Sequence, residues 1–142
     1  MNKLWLVLFV ALTINLTSQA QLKVLESNPI KIGSLKNIEV YKLNEVYTVQ
    51  YRDTQYEHID EFKNFSINEE SFDQLYTLII TNWDNPPEED ITVQFNDGYL
   101  SLDYYSVMGM TSVRFIHGSN SGNVGFSKAL TKKQIDKLFG KK

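Results

Sequence analysis

Residues 68–83 read Asn68-Glu69-Glu70-Ser71-Phe72-Asp73-Gln74-Leu75-Tyr76-Thr77-Leu78-Ile79-Ile80-Thr81-Asn82-Trp83. Phe72, Leu75, Tyr76, Ile79, Ile80 and Trp83 recur at helical spacing and form one apolar stripe. Asn68 is a good N-cap, and Glu69 and Glu70 fall in the first turn, where the helix dipole favours anions. Ile67 and Phe72 flank the cap at the spacing of a hydrophobic staple. Asn85-Pro86-Pro87 stops the pattern, because proline cannot continue a helix. Nearly everything on either side alternates with period two. A helix with one oily stripe and strands with one oily face can bury them only against each other, so this stretch sets the fold class at α+β.

Upstream, the strands pair readily on paper. Ile30 and Ile32 alternate before Gly33-Ser34, read as a turn. Residues 38–43 and 46–51 form a hairpin across Asn44-Glu45. That pairing sets Leu43 opposite Val46, Val40 opposite Val49 and Ile38 opposite Tyr51. Ile38, Val40, Tyr47, Val49 and Tyr51 then share the core face, with Lys42 at its rim. Residues 52–61 are polar and read as a loop. Residues 62–67 read as a short strand with Phe65 and Ile67 on one side.

Downstream, residues 91–95 and 99–106 flank Asp97-Gly98, a hairpin turn signal. Pairing about that turn sets Phe95 beside Leu100, Val93 beside Leu102 and Ile91 beside Tyr104. The opposite face collects Thr92, Gln94, Asn96, Tyr99, Ser101, Asp103 and Tyr105. Met108-Gly109-Met110 bends the chain into a strand carrying Val113, Phe115 and His117, and Val124, Phe126 and Lys128 follow a loose loop over 118–123. Thr131 and Gln134 match a capping box for a last helix, ended by Gly140. Phe72-Asp73-Gln74-Leu75-Tyr76 and Ile135-Asp136-Lys137-Leu138-Phe139 share a pattern, and each follows a set of strands. A match this short arises readily by chance and is not read as a repeat.

The chain has 142 residues, 42% of them hydrophobic and 22% charged, which suits a single globular domain. Residues 1–20 read as a cleavable leader: Met1-Asn2-Lys3 is a positive start, 4–12 an unbroken apolar run, and Ser18-Gln19-Ala20 a small-residue cleavage site. The run is too short to span a bilayer core of about 30 Å. The leader and the glutamine after it resemble those of exported proteins of Gram-negative bacteria, a resemblance of address and not of activity. Removing 1–20 takes away Lys3 and no acid, moving the net charge from −3 to −4. An acidic balance removes the general electrostatic pull toward nucleic acid or an anionic membrane. The absence of cysteine excludes disulfides, thiol nucleophiles and cysteine-zinc sites together.

Catalytic signals are thin. His58 lies among Glu57, Asp60 and Glu61, without metalloprotease spacing, and is read as part of a solvated loop. His117 ends a strand on the apolar side and is read as a hydrogen-bonded structural histidine. The acidic run Asp84, Glu88, Glu89 and Asp90 lacks EF-hand spacing, and 118–125 lacks the GK[ST] ending of a phosphate loop. No GxSxG elbow is present. The surface with a functional signature is the outward face of the second hairpin, Tyr99, Ser101, Asp103 and Tyr105 with Gln94 across from them. Tyrosines there offer rigid, half-apolar contact area with hydroxyls. If the sheet is covered on both sides, or closes on itself, the same residues line an interior instead.

The sequence therefore leads to these expectations. Residues 21–142 form one α+β domain, an antiparallel meander sheet of about seven to eight strands with the 68–83 helix on one face and a short C-terminal helix. The function is that of a non-catalytic exported module, periplasmic or secreted, which binds a protein or envelope component without cofactor or metal. The alternative is a small-ligand binder or hydrolase with a helix–sheet pocket using His117 or His58.

Overall fold

A computed structural model describes residues 22–25 and 27–141. The leader expected over 1–20 lies outside the described residues. The chain forms strands β1 (Ile30–Leu35), β2 (Ile38–Leu43), β3 (Val46–Arg52) and β4 (Phe62–Asn68), then helix α1 (Glu69–Thr81). Strands β5 (Ile91–Phe95), β6 (Gly98–Val107), β7 (Met110–Ser119) and β8 (Val124–Phe126) and helix α2 (Lys132–Leu138) follow. The class is α+β and every strand pair is antiparallel. The single long meander is corrected: there are two four-stranded sheets, β1-β2-β3-β4 and β5-β6-β7-β8. Four strands and a helix thus occur twice in the same order. No helix among the described residues is long and apolar enough to cross a membrane.

The first sheet follows its sequence pattern. β2 and β3 pair with Leu43 opposite Val46, Val40 opposite Val49 and Ile38 opposite Tyr51. Asn44 takes the left-handed conformation (φ 56°) that an asparagine tolerates in such a turn. Ile38, Val40, Tyr47, Val49, Tyr51, Phe65 and Ile67 are all buried. The turn expected at Gly33-Ser34 is corrected. β1 runs through these residues with an irregularity between Lys31 and Gly33, and turns instead at Lys36-Asn37. Gly33 serves another purpose. A Cβ there would lie 2.3 Å from the Leu138 carbonyl oxygen, so the missing side chain is where α2 docks.

In the second sheet the β5–β6 register is corrected by two residues: Val93 pairs with Leu100, Ile91 with Leu102 and Phe95 with Gly98. A two-residue slip preserves the faces, since side chains alternate with period two. Leu100 and Leu102 are buried, whereas Tyr99 and Tyr105 are each 38% exposed. The turn is Asn96-Asp97. Their carbonyls accept hydrogen bonds from the Asn120 side-chain and backbone nitrogens, at 2.9 and 3.0 Å. Gly98 approaches Gly118 so closely that a Cβ would sit 2.0 Å from its carbonyl oxygen. The partner loop, absent from a local turn rule, thus selects the register.

The sheets share one core. At one end they touch directly: Phe65 packs against Phe95 at 5.6 Å and against His117 at 5.2 Å. Farther along, α1 meets both. Phe72 stacks on Tyr47 at 4.0 Å on one side, and the Tyr104 hydroxyl donates to the Ile79 carbonyl at 2.7 Å on the other. Asn68 caps α1 by accepting from the Ser71 amide at 2.8 Å. Thr131 and Gln134 form the expected capping box of α2. The two helices meet through Phe72 and Phe139 and through a hydrogen bond from Tyr76 to Asp136 at 2.8 Å.

Candidate binding surface and cleft

The outward face of the second sheet is a row of side chains held by their neighbours. Tyr99 lies between Gln94 on β5 and Gly118 on β7. Its ring lies over Gly118, where a Cβ would come within 2.2 Å of it. Ser101 is buried against Thr92, with hydroxyl oxygens 2.6 Å apart. Asp103 faces Arg114 and accepts from its guanidinium at 2.7 Å. Arg114 also lies over the Phe126 ring at 5.2 Å, and its Nε is buried without a partner. Tyr105 stands opposite Ser112. Of the five expected residues, Tyr99, Tyr105 and Gln94 present surface, whereas Ser101 and Asp103 hold neighbours in place. The sequence reading missed Gly118, Arg114 and Phe126, because it never paired β6 with β7 or β7 with β8. Aligning Tyr99 with Gly118 would have found the first, since a strand glycine often marks close approach by another group.

Gln94 also belongs to a second feature. Edge strands β4 and β5 approach beside the start of α1, leaving a cleft of about 490 Å³ including its open mouth. Phe65, Ile67, Leu75, Phe95 and Leu100 form its floor, and Ser71, Gln74 and Gln94 its rim. No ionisable side chain lines it. It continues toward Asn68, Asn96 and Asp97. Such a site suits an uncharged apolar group carrying one or two hydrogen-bonding atoms.

Neither histidine lines this cleft. His58 is exposed in the loop after β3. His117 is buried among Tyr51, Phe65 and Phe95, with its Nδ1 3.0 Å from the Tyr51 hydroxyl. Burial, and then the nearby Lys63 charge, hold its pKa below the ordinary value. Burial likewise pushes the Tyr51 hydroxyl up. Among the described residues no carboxylate hydrogen-bonds to His117, so it lacks the acid that orients a general base. The nearby carboxylate, fully buried Asp53, is committed elsewhere. It accepts from Lys63 Nζ at 2.6 Å, from the Gln55 amide at 3.1 Å and from the Phe126 amide at 3.2 Å. Burial alone would raise its pKa; these hydrogen bonds outweigh it and hold the carboxyl below its usual range. Asp53, Lys63 and Thr54 therefore join β3 and β4 to β8. Among the described residues no group of three or more histidine or acidic side chains could hold a metal ion.

Comparison of the chain with protein-family models, with curated protein sequences and with solved structures finds no match.

Proposed function

We propose that the chain is a non-catalytic exported binding domain that contacts a protein or envelope component through the outward face of its second sheet. The observation that carries this is how the tyrosines spend their hydroxyls. Those of Tyr41, Tyr47, Tyr51, Tyr76 and Tyr104 are hydrogen-bonded within the chain. Tyr56, in the loop after β3, and Tyr99 and Tyr105 make no such bond among the described residues; the Tyr56 ring lies under Lys63 at 5.6 Å, whereas Tyr99 and Tyr105 lie together on one strand face, six residues or roughly 20 Å apart. Gly118 beneath Tyr99 and the Asp103–Arg114 pair between the two tyrosines fix the surface before a partner arrives, which lowers the ordering entropy of binding. A photocrosslinking residue in place of Tyr99 should trap the same component of an envelope extract as one in place of Tyr105, while one in place of Lys132 should not. Tyr99→Ser with Tyr105→Ser should abolish capture and leave the circular dichroism spectrum unchanged. Undiminished capture by that folded double variant refutes the proposal.

A second reading, a small-ligand binder, is favoured by the uncharged cleft between α1, β4 and β5. Nile red, a neutral apolar dye, should brighten on binding it, and Ser71→Trp should block the response. The position of His117 outside the cleft favours binding over hydrolysis.

A further inference from the structure

The β6–β7 hairpin outruns its neighbours. β5 pairs with β6 only as far as Leu102, and β8 pairs with β7 only from Ile116 to Gly118. Past Val113, whose backbone still pairs with Leu130, β6 and β7 continue alone to Val107 and Met110. At the tip Val107, Met108 and Met110 are 58%, 97% and 69% exposed.

Met108 has φ 53°, in the left-handed region. The other two described non-glycine residues there are Asn37 and Asn44. Asparagine tolerates that conformation because its short amide can bond locally; methionine has no such compensation. Nor does an almost fully exposed side chain gain from packing within the chain. Asparagine would make the same turn with less strain. What methionine adds is an apolar, deformable side chain aimed outward, which gains only when something covers it.

The charge pattern narrows what covers it. Residues 104–113 contain no Asp, Glu, Lys, Arg or His, and the residues bounding them, Asp103 and Arg114, pair with each other. Basic side chains that would hold an anionic bilayer are therefore absent from the tip, and three apolar side chains without a second anchor give only marginal membrane binding. No charged side chain lines the cleft floored by Phe65, Leu75 and Leu100, although its extension reaches Asp97. On an acidic chain these are two surfaces that can meet without bringing like charges together. Leu100 in the cleft and Met108 at the tip lie toward opposite ends of β6, eight residues or roughly 26 Å apart, so a molecule cannot fill its own cleft.

We infer that the hairpin tip of one molecule docks in the cleft of a second copy, with Met108 entering between α1 and β5. The two surfaces differ, so the contact is head-to-tail and leaves a free tip and a free cleft on every pair; it propagates into short chains of copies. A three-residue tip buries a few hundred Å² per partner, below the roughly 1,200 Å² total of a stable interface, so the association is weak and reversible. It does not rest on Tyr99 or on capture of an envelope component, and fails separately from that reading.

Sedimentation equilibrium of purified protein from about 10 μM to about 2 mM tests it. The wild type should gain mass with concentration. Met108→Asn, which suits the turn but removes the apolar side chain, should stay monomeric and melt no lower than wild type. Gln74→Trp, which plugs the mouth of the cleft from an exposed helical position, should also stay monomeric. An equimolar mixture of the two variants should form a 1:1 dimer and nothing larger, because one supplies only a cleft and the other only a tip. A monomeric wild type at the highest concentration, unaltered self-association of Met108→Asn, or a monomeric mixture overturns the inference. So does Met108-dependent binding to phosphatidylcholine vesicles by a protein that stays monomeric, which would assign the tip to a lipid surface.

Discussion

Replacing Gly33 with alanine sets two physical effects against each other, with opposite signs. In a strand lying free of a helix, alanine restricts the unfolded chain more than glycine does and should stabilise the fold by about 0.5–1 kcal/mol. In the fold described above, the added Cβ would fall 2.3 Å from the Leu138 carbonyl oxygen and 2.5 Å from that of Lys137. Both are backbone atoms, so no side chain can swing aside and α2 itself must shift by about 1 Å. Overpacking of that kind costs about 1–3 kcal/mol. The upper bound is set by losing the helix. Ile135, Leu138 and Phe139 are 0%, 0% and 3% exposed, and at about 1.5–3 kcal/mol each their burial is worth roughly 5–9 kcal/mol. A net loss of about 2–3 kcal/mol is expected, which in a domain of this size lowers Tm by roughly 10 °C. Urea and thermal unfolding followed by far-UV circular dichroism measure it. Leu138→Ala alone should cost about 2–5 kcal/mol. Combined with Gly33→Ala it should cost less than the sum, because a helix already displaced has less packing to lose. A Tm for Gly33→Ala that is unchanged or raised would show that α2 does not seat on β1, and the reasoning would be wrong.

Asp53→Ala leaves the Lys63 ammonium, whose side chain is 22% exposed, without its carboxylate and the Phe126 amide without its acceptor; a loss of about 3 kcal/mol is expected by urea unfolding, and less for Asp53→Asn. The pH dependence has a definite sign. His117 has a folded pKa below its unfolded value of about 6.5, so its contribution is complete above that value and is lost as pH falls through it toward the folded pKa. Tm should therefore fall between pH 7 and pH 5, and His117→Gln should flatten that slope; an equal slope in the variant would exclude His117 as its source. The depressed carboxyl of Asp53 acts in a lower window, with stability present above about pH 3.9 and lost below it, so the two are separable by titration. Asn68→Ala removes the cap on α1 and should cost about 1 kcal/mol, with Asn68→Asp close to neutral; equal stability of the alanine variant would refute the capping role.

What could be read from the sequence was whatever depends on neighbours in the chain. The N-cap at Asn68, the capping box at Thr131 and the hairpin at Asn44 each rest on residues within a few positions, and side-chain period alone put Tyr99 and Tyr105 outside and Leu100 and Leu102 inside. What could not be read depends on contacts across the chain. Alternation is the same in one eight-stranded sheet as in two four-stranded ones, so the break after β4 left no local mark. Gly33 looks like a turn until α2, a hundred residues later, is placed upon it. Asp97-Gly98 looks like the whole turn until Asn120 satisfies the carbonyls of Asn96 and Asp97 and moves the register by two. The candidate site divides along the same line. Tyr99, Tyr105 and Gln94 could be named from their strand face, but Arg114, Phe126 and Gly118, which hold that face rigid, come from β7 and β8. The cleft needs β4, α1 and β5 together. A surface written into one strand can be proposed from sequence, whereas its rigidity, and hence its fitness to bind without first being ordered, comes only from the strands beside it.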